Sequence, residues 1–143
     1  MRIGEVPNLT WKDVDLFRKT AVILYSKSGQ PRTIPLNAKV HEMLLRKSKI
    51  RSIASDKVFP FTKTQIQNFW VATCKGLRIE NLHFHGLRHT FATRLIQTGV
   101  DTCAVQLLLG HSTPTMTQRC AHHNIGSFRS AVETIGTKMA QNV

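Results

Sequence analysis

Two apolar helical repeats, separated by a glycine, constrain the fold of this chain more than any other feature of its sequence. In the first repeat, Leu87, Phe91 and Leu95 follow one another at steps of four residues, which places them on one face of a helix. Gly99 stands just past the end of this repeat, where a glycine commonly terminates a helix. The pattern predicts a buried helix from Leu87 to Thr98.

A second, shorter helix follows the first and also ends at a glycine. Asp101 is a residue type that caps helix N-termini, and Gly110 closes the segment. Ser112 and Pro114 then predict the start of another helix. We therefore expect a helix, a tight turn and a helix around His111. The side chains expected to point inward from the shorter helix are those of Val105, Leu108 and Leu109.

The chain up to residue 36 is predicted to be mostly extended, in contrast to the helical remainder. A short helix is expected from about Arg2, which Pro7 disturbs or ends, with a strand near Val14. The runs TAVIL and PRTIPL are separated by small polar residues, which predicts a β-hairpin with Lys27 near its tip. The fold class is therefore α+β, mostly helical with a small N-terminal antiparallel β-hairpin sheet.

Two further helices are predicted between the hairpin and the first apolar repeat. Asn37 can cap a helix that runs to about Lys47, and Thr62 or Thr64 can cap another that ends at Gly76. The second of these carries apolar side chains at helical spacing, and we expect them to form part of the core: Ile66, Phe69 and Trp70.

The C-terminal segment is predicted to be a helix with a narrow apolar seam. The seam has two interpretations: it covers the core of its own chain, or it docks on a neighbouring protomer. No repeat or linker interrupts the sequence, so residues 1–143 are expected to form a single domain. The seam consists of Ile125, Phe128, Val132, Ile135 and Met139.

Basic residues outnumber acidic ones along the whole chain. Twenty Lys and Arg against eight Asp and Glu give a formal net charge of +12. A folded surface this basic suits a polyanion, and double-stranded DNA is the expected partner. A ribosomal or membrane-surface protein is the alternative, but neither a signal peptide nor an apolar span of about 18 residues is visible. We expect a cytoplasmic protein, in a bacterial cell and near its nucleoid.

Clustered histidines raise the alternative of a metalloprotein. His85 and His89 stand four residues apart, a spacing at which two helical histidines can share a metal ion, and His83 is near them. However, no acidic or cysteine ligand lies close by in the sequence. We therefore expect neither a metal nor a cofactor.

The run that begins at His85 carries a resemblance to a known family. It reads HGLRHTFATRLIQTGVDTCAVQLLLGHSTPTMTQRCAH and resembles the active-site segment of the tyrosine recombinases of the phage integrase type. The resemblance extends from residue 1 to about residue 136. Its most specific part is HxLRH, then LGH, then the nucleophile position nine residues after His111. Cys120 stands at that position, where the family has a tyrosine.

The resemblance implies a phosphodiester-cleaving site. Arginine suits this chemistry because its planar fork bonds two phosphate oxygens without losing its charge. By resemblance, two arginines flank the scissile phosphate, a hairpin lysine acts as general acid, two histidines assist proton transfer, and a nucleophile attacks. The corresponding residues are Arg2 and Arg88, Lys27, His85 and His111, and Cys120.

Cys120 is a departure that predicts impaired catalysis. Sulfur is poorly matched to phosphorus, and the cysteine side chain ends several ångströms short of a phenolic oxygen, where errors of about 1 Å already matter. The family tyrosine forms a 3′-phosphotyrosyl link that conserves bond energy. We expect this chain to bind DNA but to cleave it little or not at all.

The start of the chain is a second departure. The resemblance implies an N-terminal core-binding domain and further helices before the first arginine, and we expect the chain to lack both. Arg2 would then be imprecisely placed, because terminal residues are poorly ordered unless tied down. Uncovered apolar surface would favour self-association.

These observations favour one function and leave a rival open. The favoured function is site-specific DNA recombination or integration by the catalytic domain of a phage or mobile-element tyrosine recombinase, which acts as a tetramer on DNA in the intact family. The rival is a non-catalytic DNA-binding accessory or regulatory module that keeps the basic cleft without the reaction.

Overall fold

The computed structural model describes residues 1–24, 31–51, 55–110 and 125–141, without the side chains of residues 125, 127 and 137–141. The hairpin tip with Lys27, the helix predicted after Gly110, His111 and Cys120 lie outside these ranges.

A small antiparallel sheet forms the first half of the fold. Its three strands are β1 (Val14–Asp15), β2 (Thr20–Ile23) and β3 (Arg32–Pro35), in the order β1-β2-β3. In the pairing of β2 with β3, Thr20 lies opposite Pro35. The predicted strand near Val14 and the predicted hairpin strands are thus confirmed.

The predicted N-terminal helix is wrong. Instead of a helix that starts at Arg2 and stops at Pro7, two single-turn 3-10 helices follow one another, Val6–Asn8 and Trp11–Asp13. Pro7 lies in the first turn of the first one, where the missing N–H of a proline removes no helical hydrogen bond. Proline therefore begins a helix here and does not end one.

Five α-helices account for most of the remaining described residues. The predicted caps are confirmed, since Asn37, Thr62 and Asp101 each accept a hydrogen bond from a backbone N–H of the helix that follows. The helices are α1 (Ala38–Ser48), α2 (Lys63–Gly76), α3 (Phe84–Gln97), α4 (Thr102–Leu109) and α5 (Ile125–Gln141). This mostly helical arrangement with a small sheet confirms the α+β class.

The described residues form two apolar cores. One core joins α3, α4 and α5 and includes Leu95, Val105 and Leu108. The other joins the sheet to α1 and includes Ile23 and Leu44. Helix α5 contacts α3 and also β3, so it connects the two halves. The described part of its predicted seam covers the core of its own chain, since Phe128, Val132 and Ile135 are buried, while the side chains of Ile125 and Met139 lie outside the described ones.

The prediction that the apolar stripe of α2 belongs to the core is wrong. Phe69 is 56% exposed, while Ile66 and Trp70 are only half-buried. Trp70 Nε1 donates a hydrogen bond to the carbonyl of Leu82 at 3.0 Å, and Cys74 is buried. Helical periodicity identifies an apolar face, but it does not establish that another element covers that face.

The apolar face of α3 is buried at one end only. Leu95 is fully buried, Phe91 is partly buried, and Leu87 is 43% exposed, contrary to the prediction of a buried helix along its whole length. Gly99 has the expected left-handed conformation, with φ of +80°. The exposed end of α3 is where the candidate site lies.

Among the described residues, none of the helices is both long and apolar enough to cross a membrane.

Candidate active site

Two arginines that are far apart in the sequence meet at the end of α4. Arg2 Nη2 donates a hydrogen bond to the carbonyl of Gly110 at 3.1 Å. Arg88 Nη2 donates a hydrogen bond to the preceding carbonyl, that of Leu109. Because the two carbonyls belong to consecutive residues, the two guanidinium groups are held side by side.

The end of α4 offers these carbonyls for a local reason. Gly110 has φ of +72°, so the chain leaves the helix in the left-handed conformation that favours glycine. The last carbonyls of a helix have no partner within that helix. Here the carbonyls of Leu109 and Gly110 accept hydrogen bonds from the two arginines. The end of the helix at Gly110, which the sequence predicts, therefore holds the two arginine side chains in place.

A buried ion pair lies directly beside the two arginines. Arg32 of β3 donates from Nη1 and Nη2 to the two carboxylate oxygens of Glu5, at 3.0 and 2.7 Å. The side chains of Glu5 and Arg32 are only 3% and 11% exposed. The backbone N–H of Arg2 also donates to Glu5 Oε2 at 2.6 Å, and Arg2 Nη1 lies 3.5 Å from Oε1. Glu5 therefore connects Arg2 to Arg32.

The charges of this cluster do not balance. Burial acts to raise the pKa of Glu5, but hydrogen bonds from Arg32 and from the N–H of Arg2 outweigh burial and lower the pKa overall. Burial lowers the pKa of Arg88, and repulsion by Arg2 and Arg32 lowers it further, with partial compensation by Glu5. Arginine nevertheless stays charged at neutral pH. Three guanidinium groups therefore face one carboxylate.

Part of this cationic surface has no hydrogen-bond partner. Within the described ranges, Arg88 Nη1 and Arg32 Nε are buried and make no hydrogen bond. Arg2, Arg88 and Leu109 line a cavity of about 290 Å³ at the exposed end of α3. A buried donor without a partner is uncommon in folded proteins. The arrangement therefore suits an oxyanion that would accept a hydrogen bond from Arg88.

His85 lines the same cavity, as the resemblance implies. It lies in the first turn of α3, one turn before Arg88, and its ring packs edge-on against His89 with centroids 4.8 Å apart. His83, His85 and His89 are exposed. In the part of the chain that the structure describes, no three histidine, cysteine or acidic side chains come together in a way that could hold a metal ion.

The structure therefore brings together three of the six predicted site residues. Arg2, His85 and Arg88 share one cavity, while the other three lie outside the described residues. The expectation that Arg2 is imprecisely placed is wrong, because Glu5 and Gly110 bind both its backbone and its side chain.

Sequence reasoning missed two residues of the cluster, Glu5 and Arg32. Glu5 is one of only eight acidic residues and follows Arg2 by three positions, which is a weak hint of a pair. Arg32 stands in a strand, and no spacing in the sequence links it to a residue 27 positions earlier.

Comparisons with known proteins identify the family to which the chain is similar. The model of the phage integrase family matches residues 1–126. The chain is 36% identical to the tyrosine recombinase XerD of Shewanella oneidensis over 136 residues, covering 85% of this chain and 45% of XerD. It is 31% identical to the shufflon-specific DNA recombinase of Escherichia coli, covering 85% of this chain and 31% of that recombinase. The chain thus spans less than half of the length of these relatives.

Solved structures show the same likeness. The crystal structure of XerA recombinase superimposes with a TM-score of 0.70 at 26% identity, covering 96% of this chain and 53% of XerA. The Tn1549 transposon integrase in complex with circular intermediate DNA gives a TM-score of 0.68 at 25% identity, covering 89% of this chain and 51% of the integrase. The chain therefore belongs to the phage integrase family, and its fold is that of a tyrosine recombinase catalytic domain.

Proposed function

We propose that this chain is a catalytic domain for site-specific DNA recombination or integration, acting on double-stranded DNA in the cytoplasm of a bacterial cell. One observation carries the proposal. Arg2 and Arg88 are fixed side by side at one cavity, and the buried Nη1 of Arg88 is left without a hydrogen-bond partner among the described residues. A DNA phosphate in this cavity would accept hydrogen bonds from the two guanidinium groups.

The two arginines would stabilise the charge that develops on the phosphate during displacement. Both groups are already held by carbonyls, so little reorganisation is needed when the charge appears. His85 lies in the same cavity and would donate a hydrogen bond to a phosphate oxygen or assist proton transfer. The proposed reaction needs no metal and no cofactor.

The remaining roles are proposed from the resemblance to the family. Lys27 would protonate the leaving 5′ oxygen, His111 would assist at the phosphate, and Cys120 occupies the nucleophile position. The family has a tyrosine at that position, so we propose that the chain cleaves DNA poorly as written. The proposal includes a tetramer as the active assembly on DNA. The DNA complex of the Tn1549 integrase supports DNA as the partner.

Restoring the nucleophile tests the proposal. We expect the Cys120→Tyr variant to form a covalent complex with nicked suicide duplexes whose central sequence is randomised, detected by denaturing gel electrophoresis. Adding Arg88→Ala to this variant should reduce the covalent product by about 100-fold or more, since one fixed donor to the developing charge is lost. Adding Arg46→Ala is the control, because Arg46 is exposed and pairs only with Glu42 in the described contacts.

A DNA-binding accessory module is the second candidate, favoured by the cysteine at position 120 together with the basic charge. In that case the Cys120→Tyr variant would bind duplex DNA and never become covalently attached to it. Such a result, with normal folding of the variant, would replace the first proposal by the second.

A further inference from the structure

Arg32 belongs to the charged cluster, but it has not been given a role by the proposal that Arg2 and Arg88 bind a phosphate. It reaches from β3 to the N-terminal segment, where both of its terminal nitrogens bond the carboxylate of Glu5. It is more enclosed than Arg2, with 11% of its side chain exposed against 28% for Arg2. Arg32 therefore lies behind the cavity and not at its mouth.

The guanidinium of Arg32 also packs against the end of α4. A Cβ atom placed on Gly110 would lie 2.8 Å from Arg32 Nη1 and 2.9 Å from its Cζ. Gly110 is the residue whose carbonyl holds Arg2, and it follows Leu109, whose carbonyl holds Arg88. One side chain thus contacts both supports of the site, the Glu5 carboxylate and the turn at Gly110.

We propose that Arg32 is a positioning residue of the phosphate site. Through Glu5 it fixes the backbone and side chain of Arg2, and through its contact with Gly110 it fixes the residue whose carbonyl accepts the hydrogen bond of Arg2. Arg32 does not itself contact the substrate. This inference rests on the proposed function, because a positioning role requires that Arg2 and Arg88 bind a DNA phosphate.

The chemistry of the contact requires an arginine. Two parallel N–H···O bonds to one carboxylate fix its orientation as well as its place, whereas a lysine offers a single point charge that cannot do this. Burial of an ion pair is weak support for stability, and the buried Nε of Arg32, which lacks a partner among the described residues, adds to its cost. The arrangement is therefore explained by the orientation it imposes on Arg2.

A double-mutant cycle separates this role from a role in folding. The probe is a fluorescently labelled duplex of 30 base pairs with one fixed sequence, and its affinity is measured by anisotropy at several salt concentrations. We expect Arg32→Lys to weaken binding by about tenfold, similar to Arg2→Ala, because a charge-assisted hydrogen bond to phosphate is lost in both. In the Arg2→Ala background, Arg32→Lys should weaken binding by less than about twofold more.

The salt dependence gives a second readout that a purely structural role would not change. Arg32→Lys keeps the net charge, yet we expect the slope of log affinity against log salt to fall by about one, since Arg2 no longer neutralises a phosphate. Arg46→Lys is the matched control, an exposed arginine paired with Glu42, and should change neither affinity nor slope.

The outcomes distinguish a failure of the positioning role from a failure of the proposed function. If the effects of Arg32→Lys and Arg2→Ala simply add, Arg32 does not act through Arg2 and the inference is overturned. If Arg2→Ala and Arg88→Ala themselves leave DNA binding unchanged, the proposed function fails and the positioning role fails with it. Should Arg32→Lys not fold, Glu5→Gln replaces it, because it removes the same link from the other side and must show the same coupling to Arg2→Ala.

Discussion

Two separate constraints favour glycine at position 110, one from the backbone conformation and one from the packing around it. Its positive φ favours glycine for backbone reasons, and the Arg32 guanidinium occupies the space that a side chain would need. Gly99 also has a positive φ, but no atom lies within 4 Å of a Cβ placed there. Both glycines therefore have a backbone conformation that favours glycine, but only at Gly110 does a neighbouring side chain occupy the place of a Cβ atom.

We expect Gly110→Ala to lower the free energy of unfolding by more than Gly99→Ala does. A non-glycine residue in the left-handed region costs about 1–3 kcal/mol at either position, and displacement of Arg32 adds to the cost at Gly110 only. Urea denaturation of both variants measures the difference. Equal losses would show that Arg32 moves aside freely.

The Glu5 carboxylate predicts a dependence of stability on pH. Its pKa in the folded chain lies below the ordinary value of 4.5, so its contribution is complete above that value and is lost as the pH falls through the lower, folded pKa. We expect the free energy of unfolding to drop as the pH falls below this ordinary value, and Glu5→Gln to flatten the drop. Measurements in urea on both sides of this value test it.

Glu42→Gln is the matched control for this pH dependence, because the Glu42 side chain is 63% exposed and pairs with an exposed arginine. The control should keep the slope of the unmodified chain. A steep drop that persists in Glu5→Gln would assign the pH dependence to other carboxylates.

At the residue scale, the sequence predicts the site only in part. Arg2, His85 and Arg88 could be assigned because they stand in short motifs whose spacing is characteristic of the family. Glu5 and Arg32 could not, because their pairing depends on where β3 crosses the N-terminal segment. That crossing is set by tertiary packing and leaves no regular spacing in the sequence.

At the scale of elements, helix α3 combines two environments on one apolar face. We expect Leu95→Ala to lower the free energy of unfolding by about 2–5 kcal/mol, because Leu95 is fully buried and truncation leaves a cavity. Leu87→Ala, on the same face but 43% exposed, should cost less than about 1 kcal/mol. Equal losses in thermal or urea unfolding would mean that Leu87 is as enclosed as Leu95.

Helix ends were predictable and helix environments were not. Asn37, Thr62 and Asp101 were assigned correctly because a cap is a local interaction with a backbone N–H a few residues away. The stripe of α2 was assigned wrongly because burial depends on which other element packs against it. Phe69 meets the periodicity of a core residue and still lies mostly in solvent.

At the scale of the whole molecule, the net charge of +12 predicts strongly salt-dependent DNA binding. Cationic contacts release counterions from DNA, so affinity for a duplex should fall steeply between about 50 and 200 mM salt. Fluorescence anisotropy measures the slope. A flat response would contradict a polyanion partner.

General charge and the specific site can be separated by two single-charge variants. Lys12→Gln and Arg88→Ala each remove one positive charge, but Lys12 is an exposed residue beside Asp56, whereas Arg88 is part-buried at the cavity. We expect Arg88→Ala to weaken DNA binding by about tenfold and Lys12→Gln by much less. Equal effects would mean that only the total charge matters.

The unequal numbers of cations and anions around Glu5 have a consequence for the native state itself. Folding gathers three guanidinium groups around a single carboxylate, and burial together with their mutual repulsion lowers the pKa of Arg88. Any oxyanion that binds the folded chain and not the unfolded one shifts the equilibrium toward folding. Phosphate in the buffer, or the DNA backbone, would thus act as a counterion that the polypeptide does not provide, and part of the stability of this fold would come from its ligand.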